Sequence, residues 1–238
     1  MNSPIIWHTV FEMLAWISAI AAGLWTRQRF FSASALPMPA GEYPRYMVIV
    51  WVGAVAGAFA LGTLNLMLDS QQAAGRSILG AIVGGVLVAE LYKSIRGIRG
   101  STGAVFVLPL SLAIAIGRIG CFLGGLDDQT YGTPSALPWA VDFGDGIARH
   151  PVQLYESITM AVFAAWFFRL LKAHREIAVR CGFYIFAIVY GVERFLWEFL
   201  KPYPPVIGPF NIFHLGAAAL AVYAVLMLTR QEKRYARP

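Results

Sequence analysis

Two arginines lie inside apolar segments of the chain, where a guanidinium group is rare. Arg118 ends an apolar run that starts near Gly103, and Arg194 is followed four residues later by Glu198. A buried guanidinium costs about 2.5 kcal/mol or more in a bilayer, so intramembrane arginines are usually functional or paired. A planar guanidinium binds phosphate through two parallel hydrogen bonds. Phospholipid headgroups supply phosphate at that depth, so the two arginines are candidates for binding a lipid headgroup. The alternative for Arg194 is a purely structural ion pair with Glu198 on one face of a helix.

Further polar side chains fall at the same end of the predicted helices, and together they predict a polar chamber that opens on one side. This group consists of His8, Glu12, Asp127, Asp128, His150, Tyr155 and Glu156. Each histidine alone is also compatible with an ordinary interface residue, and Glu12 with a simple arginine pair. Glu193 is expected to face away from the Arg194–Glu198 pair, toward water or lipid headgroups.

The elements that must position these residues are membrane-spanning helices. The chain is 58% hydrophobic and 13% charged, with a mean hydropathy of +0.61. A bilayer requires every backbone polar group to be satisfied within its own span, so long apolar runs form helices. We therefore predict one all-α domain, residues 1–238, with seven transmembrane helices. Their approximate ranges are 4–26, 44–68, 77–95, 103–123, 152–172, 180–200 and 211–229.

The distribution of Lys and Arg predicts the orientation of these helices. With the N-terminus outside, the inner segments hold fourteen of the 19 basic residues, the outer segments hold three, and two lie within spans. Basic residues favour the cytoplasmic side, so the C-terminus is expected there. The net charge of +6 reflects this topology and an anionic inner leaflet, and it does not predict nucleic-acid binding.

The outer segment between the fourth and fifth helices, residues 124–151, is too long for a plain connector and is expected to be irregular and functional. Residues 138–143 within it resemble a short strand or an interfacial flap. Cys121 and Cys181 fall at opposite ends of their helices, which excludes a disulfide between them. The spacing of His and Cys predicts no metal site, and no nucleotide or cofactor motif is present.

Several blocks of the chain resemble the prolipoprotein diacylglyceryl transferase family. They are Gly-Arg-Ile-Gly at 117–120, Tyr-Gly-Thr-Pro at 131–134, Pro-Trp-Ala-Val at 138–141, Arg-His-Pro-Val-Gln-Leu-Tyr-Glu at 149–156, and Tyr-Gly-Val-Glu-Arg-Phe-Leu-Trp-Glu-Phe at 190–199. The order and spacing of the blocks carry more information than any one of them. The resemblance also implies seven spans with an outside N-terminus in the bacterial inner membrane.

The resemblance implies a reaction and a set of residues for it. Members of this family move the diacylglyceryl group of phosphatidylglycerol to the lipobox cysteine of a prelipoprotein, release glycerol phosphate, and need no cofactor. By position, Arg118 matches the arginine that contacts the lipid phosphate, and Arg194 and Glu198 match the second arginine and its acid. His150 and Glu156 match the family's His-Pro…Gln-Leu-Tyr-Glu block.

The remaining roles stay open between several residues. The thiolate is the nucleophile, so a general base is expected, and His150, Glu156 and Asp128 are the candidates. Substrate binding is expected to involve, besides the two arginines, His8, Glu12, Asp127 and Tyr155.

The chain also departs from the family pattern. Cys121 replaces an asparagine, and Asp127 or Asp128 stands where an Asn-Gly-Glu segment is usual. The family's His-Gly-Gly segment corresponds to 79–81 or 83–85, and it has no histidine in either register. These departures keep three alternatives open: a related phospholipid-dependent transferase with another acceptor, a non-catalytic lipid-binding scaffold, and, least favoured, a small transporter.

Overall fold

Seven long α-helices make up most of the part of the chain that the structure describes. This structure is a computed structural model, and it describes residues 3–31, 37–70 and 73–235. The helices are α1 (Ser3–Phe30), α2 (Tyr43–Leu68), α3 (Ile78–Arg96), α4 (Ala104–Gly124), α5 (Val152–Ala173), α6 (Arg175–Glu198) and α7 (Ile212–Tyr235). The predicted all-α architecture is therefore confirmed, and most helix ends lie close to the predicted ones.

Six of these helices are long and apolar enough to cross a membrane. They are α1, α2, α3, α4, α5 and α7, and large apolar side chains on their surfaces remain exposed, as lipid-facing residues are. α6 falls outside this set because it carries a high proportion of charged residues, including Arg194 and Glu198. The chain is thus a polytopic membrane protein, and its most polar helix is the one that lies in the middle of the bundle.

The packing order of the helices places α4 and α6 at the centre, since each contacts three other helices, and α5 packs against both. α4 contacts α1, α5 and α6, while α7 packs on α6 and α3. Met160, Phe167 and Phe186 are fully buried between them and form part of one continuous apolar core. α2 lies against α3, where a Cβ on Gly57 would collide with the carbonyl oxygen of Gly80, so these two backbones touch directly.

The loop between α4 and α5 is folded against the end of the bundle, which we call the loop end. After a 3₁₀ turn at Gly125–Asp128, β1 (Val141–Asp142) pairs antiparallel with β2 (Ala148–Arg149). Of the two alternatives for 138–143, a short strand or an interfacial flap, residues 141–142 thus form a strand. The Thr133 amide donates to the Leu200 carbonyl at 2.7 Å. This bond ties the loop to the end of α6, so the loop lies over the polar ends of α5 and α6.

Candidate active site

A buried cluster of charged side chains lies at the loop end, with Glu156 at its centre. Glu156 is in the second turn of α5 and only 2% exposed. Its Oε2 lies 2.7 Å from Arg118 Nε, and its Oε1 accepts hydrogen bonds from Arg194 Nη1 at 2.6 Å and Lys201 Nζ at 2.8 Å. Arg118 comes from α4 and Arg194 from α6, so guanidinium groups of two helices converge on one carboxylate.

A second carboxylate, that of Glu198, completes this cluster. Arg194 Nη2 lies 3.0 Å from Glu198 Oε2, which confirms the predicted pair on one face of α6. Asn211 Nδ2 donates to Glu198 Oε1 at 3.0 Å, and Asn211 Oδ1 accepts from the backbone amides of Phe213 and His214. Asn211 therefore caps the first turn of α7 and also fixes Glu198 in place.

The cluster carries a surplus of positive charge. Three cations (Arg118, Arg194 and Lys201) pair directly with two carboxylates (Glu156 and Glu198), which leaves a formal charge of +1 when the nearby buried carboxyl group of Glu193 is in its neutral form. Uncompensated charge is expensive to bury, and an anion would neutralise it. The Arg118 side chain is 11% exposed, whereas those of Arg194 and Lys201 are 5% and 0% exposed. An anion therefore reaches the cluster most easily from the side of Arg118.

Lys201 is a member of the cluster that sequence reasoning missed. The sequence places it after the predicted sixth span, as one of the three basic residues of the outer segments. In the structure the backbone makes one more turn after Glu198, because the amide of Lys201 donates to the Glu198 carbonyl. This turn places Lys201 on the face of α6 that holds Arg194 and Glu198. Burial, reinforced by the neighbouring Arg194 charge, lowers the pKa of Lys201 to about 8. The spacing of four and then three residues was the available signal.

Other buried polar groups surround the two arginines. Glu193 is 6% exposed, so the expectation that it contacts water or lipid headgroups is wrong: it lies on the buried side of α6, which packs on α4, α5 and α7, whereas the neighbouring Val192 and Leu196 are on the exposed side. Both Glu193 carboxyl oxygens and the Tyr190 hydroxyl have no hydrogen-bond partner within the described residues, and neither does the Gln153 side-chain amide. These groups are available to a bound molecule.

A second polar cluster adjoins Arg118 at a guanidinium nitrogen other than the one that pairs with Glu156. Arg118 Nη1 lies 3.9 Å from the sulfur of Cys121. Next to this sulfur, His8 Nε2 of α1 lies 3.0 Å from Asp128 Oδ1, and Asp128 also accepts a hydrogen bond from the Thr130 hydroxyl. Two residues predicted for different roles, His8 and Asp128, are thus brought together. Cys121 has no disulfide, as predicted.

His150 and Tyr155 form a third group, which is aromatic and lies nearer the surface. The Tyr155 hydroxyl accepts a hydrogen bond from Trp139 Nε1 at 2.7 Å and lies 3.5 Å from His150 Nδ1. Its ring packs on Trp197 with 5.2 Å between the ring centroids. The structure therefore pairs the His150 ring with the Tyr155 side chain.

The two remaining predicted binding residues lie at the edge of the site. Glu12 pairs with Arg76 at 2.9 Å across an exposed interface between α1 and the start of α3, which is the simple arginine pair considered above. Asp127 is exposed and lines a cleft of about 150 Å³ together with His8, Gly124 and Asp128. The structure thus groups Asp127 with the His8–Asp128 pair and leaves Glu12 apart.

Comparison with known proteins agrees with the resemblance drawn from the motifs. A sequence model of the family described as prolipoprotein diacylglyceryl transferase matches residues 3–230. The chain belongs to this family. The match covers α1 to α6, α7 as far as residue 230, and every residue of the charged cluster, so the family expectation is confirmed over nearly the whole chain.

Individual family relatives carry the name phosphatidylglycerol–prolipoprotein diacylglyceryl transferase. The one from Bordetella parapertussis is 32% identical over 62% of this chain and 54% of its own length. The one from Nitratidesulfovibrio vulgaris is 31% identical over 85% of this chain and 78% of its own, and the one from Clostridium tetani is 37% identical over 55% and 53%. The chain thus spans about half the length of the Bordetella and Clostridium relatives. No solved structure matches it significantly.

Proposed function

We propose that this family member transfers the diacylglyceryl group of phosphatidylglycerol to the thiol of a lipobox cysteine in a prelipoprotein and releases glycerol phosphate. The observation that carries the proposal is the convergence of Arg118 and Arg194 on Glu156 in a buried cluster with one surplus positive charge. A phospholipid phosphate supplies the missing negative charge. The names of the relatives support the same donor and acceptor.

The proposed membrane arrangement has seven spans, with α6 as the polar sixth span, and the loop end facing the periplasm. Two observations support it. The basic residues Arg27, Arg29, Lys93 and Arg96 cluster in the last turns of α1 and α3, at the end opposite to the loop end. α6 is enclosed by apolar helices that shield its charges from lipid. We place the chain in the bacterial inner membrane, with the site at the depth of the outer-leaflet headgroups.

The role proposed for the two arginines is electrostatic. Each guanidinium binds Glu156 through one edge, and Arg194 Nε has no hydrogen-bond partner in the described residues. The remaining N–H groups hold the lipid phosphate. When the bond between the diacylglyceryl carbon and the phosphate oxygen breaks, negative charge grows on the leaving glycerol phosphate, and preorganised donors stabilise it. Glu198 orients Arg194, while Lys201 balances Glu156.

The acceptor thiol is proposed to enter from the cleft at His8 and Asp128. A base must help to form the thiolate. The histidine of the family's His-Gly-Gly segment cannot be this base, because the corresponding helix α3 (Ile78–Arg96) contains no histidine. Glu156 already accepts from three cations, which makes it a weak base, and His150 is paired with Tyr155. The His8–Asp128 pair lies on the open side of Arg118. Asp127 lines the same cleft, and Tyr155 is proposed to contact substrate nearer the surface, whereas Glu12 is assigned to tying α1 to the segment before α3 through Arg76.

The test is a membrane assay with labelled phosphatidylglycerol and a lipobox peptide. Arg118→Ala should abolish transfer, while Arg118→Lys, which keeps the charge but loses the planar fork, should restore only part of it. Arg76→Ala is the matched control, because Arg76 is an exposed arginine at the same end of the bundle. Full transfer by Arg118→Ala would contradict the mechanism.

The same assay, run beside complementation of a strain depleted of its own transferase, distinguishes the alternatives. Consumption of phosphatidylglycerol without modification of the peptide would indicate another acceptor, and mass spectrometry of the lipids and lipoproteins would identify it. Phosphatidylglycerol binding without any turnover would indicate a lipid-binding protein. Growth of the depleted strain together with peptide modification supports the transferase.

A further inference from the structure

A cavity of about 260 Å³ lies at the end of the bundle opposite to the loop end, between α3, α6 and α7. Its polar lining includes Glu90, Lys93, Arg99, Tyr184, Arg230 and Gln231. None of these side chains belongs to the charged cluster around Glu156, which lies at the other end of the same helices. The cavity is therefore a second, separate place at which a polar group can bind.

The way in which α3 ends brings Arg99 to this cavity. Gly97 follows the last turn of α3 in the left-handed conformation, with a φ of 65°, and the amide of Ile98 donates to the Lys93 carbonyl at 2.9 Å. This reversal is typical of a helix C-terminus, and glycine adopts the required φ most readily. The chain thus turns back at the end of α3, and Arg99 lines the same cavity as Lys93 and Ser94.

A buried ion pair between α3 side chains forms part of the wall. Lys93 is 6% exposed, and its Nζ donates to Glu90 Oε1 at 2.7 Å. The Tyr223 hydroxyl of α7 donates to the same oxygen at 2.7 Å, so Glu90 also holds α3 and α7 together at this end. An ammonium group has three N–H donors, and the contact with Glu90 uses one of them. Lys93 therefore has donors left for a molecule in the cavity.

Two further arginines give the cavity a surplus of positive charge. Arg99 and Arg230 are both exposed, and neither forms an ion pair within the part of the chain that the structure describes. Arg96, in contrast, pairs with Glu42 and does not line the cavity. The lining holds three cations and one carboxylate, which leaves a formal charge of +2. This charge favours an anionic ligand.

Exposed apolar side chains continue from the cavity toward the middle of the bundle. They precede Ser94 on α3 by three and seven residues, and Arg230 on α7 by four and eight, so they share the helix faces that line the cavity. Each is between 52% and 65% exposed: Leu87, Leu91, Val222 and Leu226. A soluble anion would leave this apolar surface unused, whereas the acyl chains of a phospholipid would cover it.

The size of the cavity agrees with a headgroup as its occupant. Sites for drug-sized molecules have volumes of about 300–1,000 Å³, so 260 Å³ admits a phosphodiester with a small substituent and leaves the acyl chains outside. Basic pockets between transmembrane helices at the cytoplasmic side are typical binding sites for anionic lipid headgroups.

We propose that this cavity binds the phosphodiester headgroup of an anionic phospholipid, with Lys93, Arg99 and Arg230 around the phosphate and the acyl chains along α3 and α7. With the orientation proposed above, this lipid belongs to the inner leaflet. The site does not depend on the transfer reaction, because it shares no residue with the charged cluster. A lipid bound here joins α3, α7 and the turn at Gly97, so it also stabilises their packing.

The first test counts the lipids that the full chain retains. The chain is delipidated in detergent, incubated with dioleoyl phosphatidylglycerol and analysed by native mass spectrometry. We expect two bound lipids, one at each end of the bundle. Arg99→Gln combined with Arg230→Gln should remove one of them, and Arg118→Ala should remove the other. Both substituted arginines of the cavity are exposed, so the double variant is expected to fold.

These variants separate the two lipid sites. Loss of a lipid in the Arg99/Arg230 double variant, with no loss in Arg118→Ala, would support the cavity and contradict the proposed donor site. Loss in Arg118→Ala alone would overturn the cavity proposal and leave the donor site in place.

The second test measures affinity in the Arg118→Ala background, where only the cavity is expected to bind lipid. A basic residue near an anionic headgroup contributes about 1 kcal/mol, which corresponds to about fivefold in affinity. Arg99→Gln and Arg230→Gln should therefore each weaken binding about fivefold, and together about 25-fold. Arg29→Gln and Arg169→Gln are the matched controls, because these arginines are exposed at the same end but lie outside the cavity. Equal weakening in the controls would show only general attraction to a basic surface and would overturn the proposal.

The choice of ligand distinguishes a lipid from a soluble anion. We expect dioleoyl phosphatidylglycerol to bind more tightly than its dihexanoyl analogue, and glycerol phosphate and inorganic phosphate to bind more weakly still. Dioleoyl phosphatidylcholine, whose headgroup has no net charge, should not bind measurably. Binding of glycerol phosphate as tight as that of the long-chain lipid would make the cavity a soluble-anion site, and equal binding of phosphatidylcholine would show that charge is not recognised. Either result would overturn the proposal.

Discussion

Glu156→Gln is the substitution that perturbs the charged cluster most simply. The amide has nearly the same shape as the carboxylate but carries no charge. Arg118, Arg194 and Lys201 would then face only the carboxylate of Glu198, and the formal charge of the cluster would rise from +1 to +2. Because Glu156 is 2% exposed, water cannot compensate for the lost charge.

The expected loss of stability follows from this burial. Breaking a buried ion pair by removing one partner typically costs about 3–5 kcal/mol, since an unpaired charge is left behind. Glu12→Gln is the matched control, because it breaks an ion pair at the same end of the bundle whose side chains are 36% and 62% exposed. An exposed pair contributes about 0–1 kcal/mol. The two Glu→Gln changes should therefore differ by several kcal/mol.

Thermal unfolding in detergent, followed by tryptophan fluorescence, measures this difference. Inorganic phosphate gives a second readout, because a ligand that binds only the folded state stabilises it in proportion to the logarithm of its concentration. We expect phosphate to raise the unfolding temperature of Glu156→Gln more than that of Glu12→Gln. Equal unfolding temperatures for the two variants, with equal responses to phosphate, would refute the account of the cluster as a buried site that lacks an anion.

Three further predictions concern neighbouring residues. Phosphatidylglycerol binding should weaken as the pH rises through about 8, where Lys201 loses its proton and the surplus charge disappears, and Lys201→Arg should move this decline to higher pH in a binding titration. Asn211→Ala should lower stability by about 2 kcal/mol or more, measured by thermal unfolding, because it removes a helix cap and unpairs Glu198. His150→Ala should keep transfer within roughly tenfold in the peptide assay, since His150 contacts Tyr155 rather than the guanidinium groups.

The sequence predicts the helices well because the length of an apolar run depends only on consecutive residues and not on how the chain packs. The fourth and fifth runs, 103–123 and 152–172, differ from α4 and α5 by one residue at most at each end. The differences are larger for α1, α6 and α7, which extend several residues beyond the apolar runs at their charged ends. A polar residue at the membrane interface still continues a helix, so hydropathy marks the span rather than the helix.

The candidate site is predictable in its residue types but not in its pairing. Arg118, Arg194, Glu156 and Glu198 stand in recognisable motifs, yet the sequence does not show that both arginines share Glu156, because the pair depends on how α4, α5 and α6 pack. Lys201 follows Glu198 by three residues, a spacing typical of one helix face, but the hydropathy pattern ends the sixth span before it.

The contact between His8, Cys121 and Asp128 has no local signal at all. It depends on the approach of α1 to α4 over Gly120 and Gly124, which only the three-dimensional structure reveals.

The most direct measurement of the central claim is an experimental structure of the chain with phosphatidylglycerol bound. The account predicts that N–H groups of both Arg118 and Arg194 lie about 2.7–2.9 Å from oxygens of the lipid phosphate, while Glu156 still contacts both residues. A phosphate bound elsewhere at the loop end, with both guanidinium groups engaged only by Glu156 and Glu198, would contradict it.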